Sequence, residues 1–227
     1  MPPSPLPGSS PKLPDLPIGG PFCLNAICDV DVCARARWAP RDLALAYLKG
    51  GVRFLQVRAK QMPSGEFLSL CDEVVRAARP FGALVIVNDR VDVARLSGAS
   101  GVHVGQEDLS PASARDQLGD TAIIGVSNHN EPQIREALKT PLSYLAVGPI
   151  FGTSTKDTGY EAVGLELVSL ARGLAPPHVP VVAIGGITLA NAASVIQAGA
   201  QSVAVISDLL ADGDPAARVG QFLRALA

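Results

Sequence analysis

The 227-residue sequence has few aromatic residues, little net charge and no long apolar run. Aromatic residues make up 4% of the chain and the formal net charge is −2, with no basic cluster, so we expect no nucleic-acid surface. No apolar stretch approaches the roughly 20 residues of a membrane span, and no signal-peptide pattern stands at the N-terminus. We therefore expect a cytoplasmic protein that acts on small molecules, without a membrane or nucleic-acid partner.

The four cysteines also lack a recognisable pattern. Cys23, Cys28, Cys33 and Cys71 form neither a Cys-x-x-Cys pair nor a zinc-knuckle spacing, and no histidine is near them in sequence. We interpret them as reduced, partly buried thiols; a metal or redox site is the alternative.

What is present is an apolar chain, 48% hydrophobic, with a different composition at its start. Residues 1–20 are crowded with Pro, Gly and Ser, which predicts a flexible tail. Residues 21–227 are predicted to form one domain with a substantial core.

The stretch 83–108 sets the pattern of this domain. Two short apolar runs, 84–87 and 102–104, are each followed by polar residues, and a helical pattern lies between them and closes on Gly98. Asp89 and Asp108 come just after the two runs. Since consecutive parallel strands lie ~4.8 Å apart, we expect the two carboxylates to meet over one ion. The alternative is that each merely caps a helix or turn.

The same strand–helix unit recurs eight times. Predicted strands are 22–28, 52–57, 84–87, 102–104, 122–126, 144–147, 181–184 and 203–206. Predicted helices are 40–48, 64–78, 91–96, 111–118, 131–138, 165–174, 189–198 and 216–226. Eight such units predict a single-domain α/β fold, the (β/α)₈ TIM barrel, with its active site at the carboxyl ends of the strands. An open doubly wound sheet is less favoured, because no G-x-G-x-x-G motif is present.

Polar residues at the strand ends indicate the chemistry. Gln56, Arg58 and Lys60 alternate at the end of the second strand, so all three should point to one side and hold an anion. Alternatively, the strand has already ended and they are rim side chains. Asn88 ends the third strand beside Asp89.

The next two loops add hydroxyl groups and a cation. His103 lies within the fourth strand and is a candidate substrate-binding residue, although such a histidine is often a hydrogen-bonded core residue. Ser127 follows the fifth strand. Thr153, Thr155 and Lys156 follow the sixth and suit phosphate oxygens, unless they only form a solvated loop.

The last two strands predict a phosphate pocket. Gly185 and Gly186 end the seventh strand and lead through Thr188 into a helix, and Ser207 ends the eighth. Glycines allow the backbone to approach phosphate oxygens, and barrels commonly hold phosphate here. One diphosphate on the basic half with Mg²⁺, and one monophosphate on this half, would make a transfer reaction with diphosphate as leaving group.

These residues resemble the thiamine-phosphate synthase family. Its signatures are matched, in family order over residues 22–227, by LQVRAK (55–60), VNDRVDVA (87–94), GVHVGQEDL (101–109), GVSNHN (125–130), GPIFGTSTK (148–156), AIGGIT (183–188) and VAVIS (203–207). The resemblance implies that 4-amino-5-hydroxymethyl-2-methylpyrimidine diphosphate is joined to 4-methyl-5-(2-phosphoethyl)thiazole, or its carboxylated form, with release of diphosphate. It implies a dissociative route, in which diphosphate leaves before the thiazole nitrogen attacks.

The resemblance also assigns roles to individual residues. Asp89 and Asp108 would bind Mg²⁺. Arg58, Lys60, Asn88 and Lys156 would hold the diphosphate, Gln56 would orient the pyrimidine, and Ser127 would lie by the leaving group. The thiazole phosphate would be held by Thr153, Thr155, Gly186 and the backbone of Ile206 and Ser207.

Two positions depart from the family pattern. Asn25 stands where the family often has tyrosine, and Gly152 where it usually has proline, which affects pocket shape and loop rigidity. A thiazole tautomerase, with His129 as proton carrier, and a catalytically silent thiamine-phosphate-binding paralogue are alternative functions. The sequence leaves open whether the chain forms a homo-oligomer.

Overall fold

The computed structural model describes residues 19–152 and 161–227, which form a closed barrel of parallel strands surrounded by helices. The strands pair in chain order, and the first pairs with the last, which closes the barrel. The predicted (β/α)₈ barrel is confirmed, and the open doubly wound sheet is wrong. The predicted tail, residues 1–20, lies almost entirely outside the described residues.

The element bounds follow the predicted ones closely. The strands are β1 (Leu24–Asp29), β2 (Phe54–Arg58), β3 (Leu84–Asn88), β4 (Gly101–Val104), β5 (Ile123–Asn128), β6 (Tyr144–Val147), β7 (Val181–Ile184) and β8 (Ser202–Val205). The helices are α1 (Val30–Arg35), α2 (Pro40–Gly50), α3 (Ser64–Ala78), α4 (Val91–Ser97), α5 (Pro111–Leu118), α6 (Glu131–Ala137), α7 (Gly164–Leu174), α8 (Ala192–Gln197) and α9 (Pro215–Ala225). Short 3-10 turns span Gly20–Phe22, Arg79–Phe81 and Ser207–Leu210.

Two helices differ from the prediction. Helix α1 was not predicted; it follows β1 directly because the Asp29 carboxylate accepts a hydrogen bond from Val32 N at 2.9 Å and caps it. Helix α8 begins only at Ala192, so the predicted helix start at Leu189, with Thr188 leading into it, is wrong. A turn intervenes, in which Thr188 N donates to Asn191 Oδ1 at 2.8 Å.

The two faces of each strand have different surroundings, as β1 illustrates. Leu24, Ala26 and Cys28 point outward into the apolar layer between strands and helices. The alternate residues point inward: Ile27 packs in the barrel interior, and Asn25 lies on the same face. The helices cover the outer layer with apolar stripes such as that of α3, where Phe67, Cys71, Val74, Val75 and Ala78 are buried.

Tyr144 fills the centre of the barrel. Its ring meets Phe54 edge-on, with ring centroids 5.6 Å apart, and is fully buried. Gly125 on the neighbouring strand makes room for it, since a Cβ there would lie 1.9 Å from Tyr144 Cζ. The small residues Ala146 and Ala204 leave the space above this ring open.

The four cysteines are free thiols, as predicted, and are more deeply buried than expected. Cys28 Sγ lies 3.8 Å from Cys33 Sγ.

In the part of the chain that the structure describes, every helix is too short or too polar to cross a membrane.

Candidate active site

A cavity of about 300 Å³ lies at the carboxyl ends of the strands, where the barrel fold places active sites. One side is apolar and is formed by Ile27, Tyr144, Ala146, Val182, Ile184 and Ala204. The other carries polar side chains from the neighbouring strands: Gln56, Arg58, Asn88, His103 and Ser127. The cavity can therefore hold a ring against its apolar side and a charged group against its polar side.

The alternation predicted for the second strand holds for two of its three residues. Gln56 and Arg58 are inward-facing, buried and in the cavity wall. The strand ends at Arg58, so Lys60 lies beyond it on the rim with its side chain 45% exposed. The prediction that all three share one inward face is wrong for Lys60.

Arg58 has a carboxylate partner that the sequence argument did not assign to the site. Its Nη1 donates to Asp29 Oδ2, and both side chains are nearly buried. The Nε of Arg58 has no hydrogen-bond partner among the described residues. Asp29 thus holds the guanidinium while leaving a donor for a further anion. The sequence did contain a clue to this pair, because Asp29 is the last residue of β1 and Arg58 is the last residue of the adjacent β2.

The predicted carboxylate pair stands on the rim beside Lys60. Lys60 Nζ donates to Asp89 Oδ2, and Gly105 N donates to Asp108 Oδ2 at 2.8 Å. Burial, followed by the charge of Asp89 and contact with its carboxyl group, raises the pKa of Asp108. The contact between the Asp108 and Asp89 carboxyl groups brings the pair together, as the strand–helix–strand pattern predicted.

Asp89 adopts a backbone conformation that is uncommon outside glycine. Its φ is +63°, directly after the end of β3, and its amide donates to His103 O at 2.7 Å. Such strain at a strand end turns the side chain toward the rim and is frequent at functional sites.

His103 is held in a hydrogen-bonded chain. Its Nδ1 lies 2.9 Å from the Tyr144 hydroxyl and its Nε2 lies 2.8 Å from Ser127 Oγ. Burial raises the pKa of Tyr144, so that hydroxyl stays neutral. Gln106 Nε2 also donates to Ser127 O at 2.6 Å. His103 is therefore a hydrogen-bonded residue in the cavity wall that orients Ser127.

His129, the proton carrier of the tautomerase alternative, also lines the cavity. Its Nδ1 lies 2.5 Å from Gly148 O, and its backbone amide donates to Gln133 Oε1 at 2.7 Å. The first contact requires a protonated Nδ1, because a carbonyl oxygen can only accept.

The predicted phosphate half is built from the ends of β7 and β8. Gly186, Ile206 and Ser207 line the cavity, and both Gly185 and Gly186 have positive φ. Asp208, after β8, joins the two strand ends because its Oδ2 accepts a hydrogen bond at 3.1 Å from the backbone N of Leu189, which follows β7. The same oxygen also accepts from Arg218 Nη2 of α9 at 2.8 Å. Because α8 starts late, a phosphate here would meet loop amides after β7 and the start of the short 3-10 turn Ser207–Leu210 after β8, and not the start of α8.

Thr153, Thr155 and Lys156 lie outside the described residues. The chain on both sides of that segment is anchored at the cavity. Phe151 N donates to Gly185 O at 3.0 Å, and Val163 N donates to Pro149 O at 2.8 Å.

Among the described residues, histidine, cysteine and carboxylate side chains form no cluster of three or more that would hold a metal unaided. Asp89 and Asp108 remain as a pair of hard oxygen ligands. This set fits Mg²⁺, which typically uses one or two carboxylates and completes its shell with water and substrate phosphate.

A closed (β/α)₈ barrel with an arginine in its cavity and a lysine–carboxylate group on its rim defines an enzyme for phosphorylated substrates. Residues 24–209 match the family model described as thiamine monophosphate synthase. The chain is 48% identical over 177 residues to a thiamine-phosphate synthase of Koribacter versatilis, covering 78% of this chain and 82% of the relative. It is 42% identical over 177 residues to that of a Roseiflexus species, covering 78% and 74%.

A solved structure agrees with these sequence relatives. Thiamine phosphate pyrophosphorylase from Pyrococcus furiosus superimposes with a TM-score of 0.81 at 29% identity, covering 91% of this chain and 96% of that one. The chain belongs to the thiamine monophosphate synthase family.

Proposed function

We propose that this chain is a Mg²⁺-dependent thiamine-phosphate synthase. It joins 4-amino-5-hydroxymethyl-2-methylpyrimidine diphosphate to 4-methyl-5-(2-phosphoethyl)thiazole, or its carboxylated form, and releases diphosphate. Family membership supports this proposal. The observation that carries it to the site is an arginine, Arg58, in the cavity wall together with a rim group of Lys60, Asp89 and Asp108 that follows β2, β3 and β4.

The diphosphate binds at this basic edge. Arg58 contributes the guanidinium that Asp29 holds in place, Lys60 exchanges part of its contact with Asp89 for a phosphate oxygen, and Asn88 lines the same wall. Lys156, from the segment that follows β6, is proposed to join them. Charge-assisted hydrogen bonds of this kind are the stronger contacts in proteins.

Asp89 and Asp108 hold Mg²⁺ in this proposal. The bound ion would supply positive charge to neutralise the diphosphate. Burial, and after it the neighbouring carboxylate of Asp89, raises the pKa of Asp108, and a cation bound by the two carboxylates would offset this cost of ionisation.

The apolar side of the cavity supports the dissociative route. Breaking the bond between the pyrimidine methylene carbon and the diphosphate oxygen leaves both electrons on oxygen and a cation on carbon. The thiazole nitrogen then supplies the electron pair for the new C–N bond. Ile27, Val182 and Ile184 line the cavity and would exclude water that could otherwise capture the cation. Ser127, whose hydroxyl is held by His103, would lie beside the leaving group.

The thiazole phosphate is placed on the opposite wall. Gly186, Ile206 and Ser207 line the cavity there. Phe151 and Val163, which lie before and after the segment with Thr153 and Thr155, are both hydrogen-bonded next to this wall. The two substrates would then approach from opposite sides of one cavity.

The test is incubation of the full chain with both substrates, with Mg²⁺ and with Mg²⁺ chelated. We expect thiamine phosphate and diphosphate in equal amounts, and only with the metal. A thiazole tautomerase would interconvert thiazole phosphate isomers without metal, and a silent paralogue would bind thiamine phosphate but form no product. Either result without thiamine phosphate would overturn the proposal.

A cytoplasmic location and a homo-oligomeric state remain predictions. Fractionation and light scattering respectively would test them.

A further inference from the structure

Asn25 is a buried polar residue at the floor of the cavity. It lies on the inward face of β1, is 1% exposed and lines the cavity. Its register partners are Phe54 of β2 and Ala204 of β8, both of which belong to the apolar barrel interior. A carboxamide among such neighbours needs a polar partner.

No described residue supplies that partner. Asn25 Oδ1 is buried and makes no hydrogen bond to the described part of the chain. Asn128 Oδ1 is similarly unpartnered, but Asn128 Nδ2 donates to Val126 O at 2.9 Å and to Ala146 O at 3.3 Å, so the strand backbones hold its carboxamide. No described residue gives the Asn25 side chain a comparable bond that would explain it as part of the framework.

We infer that the Asn25 carboxamide binds the exocyclic amine of the aminopyrimidine substrate at the floor of the cavity; this rests on the proposed function. Asn25 is the next inward-facing residue below Ile27, the register partner of Gln56. A pyrimidine ring against Gln56 therefore has Asn25 within the same corner of the barrel.

The chemistry of the two substrates selects the pyrimidine. An unpartnered amide oxygen accepts a hydrogen bond, and the aminopyrimidine amine donates one. The thiazole ring has no N–H or O–H. The N–H₂ of the same carboxamide is a hydrogen-bond donor. On the thiazole it would occupy the nitrogen lone pair that must attack.

The experiment compares the full-length chain with Asn25→Leu, a near-isosteric change that removes the carboxamide. Equilibrium binding is measured separately for the aminopyrimidine diphosphate with Mg²⁺, for its analogue without the exocyclic amine, and for thiazole phosphate. Tyr47→Phe is the matched control, because its hydroxyl is also buried and unpartnered but lies outside the cavity wall.

We expect Asn25→Leu to weaken aminopyrimidine diphosphate binding about tenfold and to leave thiazole phosphate binding unchanged. The analogue without the amine should bind wild type and variant alike. The variant should also unfold at a higher temperature than wild type, since it no longer buries an unpaired polar atom. Tyr47→Phe should leave the affinities of all three ligands unchanged.

Binding of the aminopyrimidine diphosphate to Asn25→Leu within twofold of wild type would overturn the inference. So would equal losses for both substrates. If Asn25→Leu does not fold, Asn25→Ser is measured against the same criteria. The proposed function is judged separately: thiamine phosphate formed by wild type upholds it whatever the Asn25 result, and its absence overturns it.

Discussion

Arg58 Nη1 donates a hydrogen bond to Asp29 Oδ2, and the two residues are register partners on adjacent strands. Asp29 Oδ1 accepts from Val32 N at 2.9 Å. One carboxylate therefore compensates the charge of a cavity arginine and caps helix α1. Arg58 is thus held by a residue that is not itself among those lining the cavity.

Replacing Asp29 by serine separates its two roles, because serine still caps a helix but carries no charge. Arg58 would be left as an unpaired, nearly buried cation, and we expect the free energy of unfolding to fall by about 3 kcal/mol. Added inorganic diphosphate should stabilise Asp29→Ser more than wild type, since the anion replaces the lost carboxylate.

Urea unfolding with and without diphosphate measures both effects. Asp31→Ser is the control, an exposed aspartate on the same helix. If Asp29→Ser matched Asp31→Ser in stability and in its response to diphosphate, Asp29 would have no such role.

The raised pKa of Asp108 predicts how stability depends on pH. Because the folded state disfavours its ionised form, wild-type stability falls relative to Asp108→Asn as pH rises from about 4 through the raised pKa. At neutral pH we expect Asp108→Asn to unfold at the same temperature as wild type or higher. Below that range both side chains are neutral and the difference should vanish.

Asp92→Asn is the control with the opposite sign. The hydrogen bond from Arg90 lowers the pKa of Asp92, so its ionised form is favoured in the folded state. That variant should be slightly less stable than wild type at neutral pH and equal to it in acid. Thermal unfolding across pH that gave both variants the same sign would contradict this account of the rim.

Substitution of Gly186 should weaken the binding of one substrate more than the other. The sequence suggested that a side chain would keep the backbone from the phosphate, whereas the structure shows that it would clash with the chain after β6. The φ of Gly186 is +61°, and a Cβ there would lie 2.6 Å from Gly152 O and 2.8 Å from Phe151 Cβ. A side chain would push away the chain that follows β6. We expect Gly186→Ala to weaken thiazole phosphate binding at least tenfold and aminopyrimidine diphosphate binding much less.

Gly173→Ala on helix α7 is the matched control, because a Cβ there meets nothing within 4 Å. Titration calorimetry with each ligand alone measures the difference. Equal losses for the two ligands in Gly186→Ala would indicate general damage to the barrel.

The proposed dissociative route predicts that kcat depends on the substituents of the pyrimidine ring. If the bond to diphosphate breaks before the thiazole attacks, an electron-withdrawing substituent destabilises the developing cation and should lower kcat steeply. Single-turnover rates at saturating thiazole phosphate isolate the chemical step. A flat response across substituents would instead indicate direct displacement.

Most of the fold could be predicted from the sequence because it depends on local pattern. Short apolar runs ending in polar residues gave all eight strands, and helices such as α3 and α5 begin and end where predicted. Helix α1 was missed because its six residues are too few for a periodic signal, and what starts it is the Asp29 cap. The late start of α8 was missed because Asn191, and not Thr188, organises the turn.

The site was predictable where chain order decides proximity. Asp89 and Asp108 follow adjacent strands, so the pattern places them together. The partner of Arg58 needed the register between β1 and β2, and the hydrogen bonds of His103 needed the depth of Tyr144 in the barrel. Neither register nor depth can be read from periodicity alone.

The most direct test of the central claim, a Mg²⁺-dependent synthase with its metal pair at Asp89 and Asp108, is a Mg²⁺ titration of thiamine phosphate formation. Wild type, Asp89→Asn and Asp108→Asn are compared with Asp92→Asn as the control for lost surface charge. We expect wild type and Asp92→Asn to form product with the same Mg²⁺ dependence, and both pair variants to lose at least a hundredfold at limiting Mg²⁺, about 3 kcal/mol. Near-normal turnover by either pair variant at limiting Mg²⁺, or wild-type product formation with Mg²⁺ fully chelated, would contradict it.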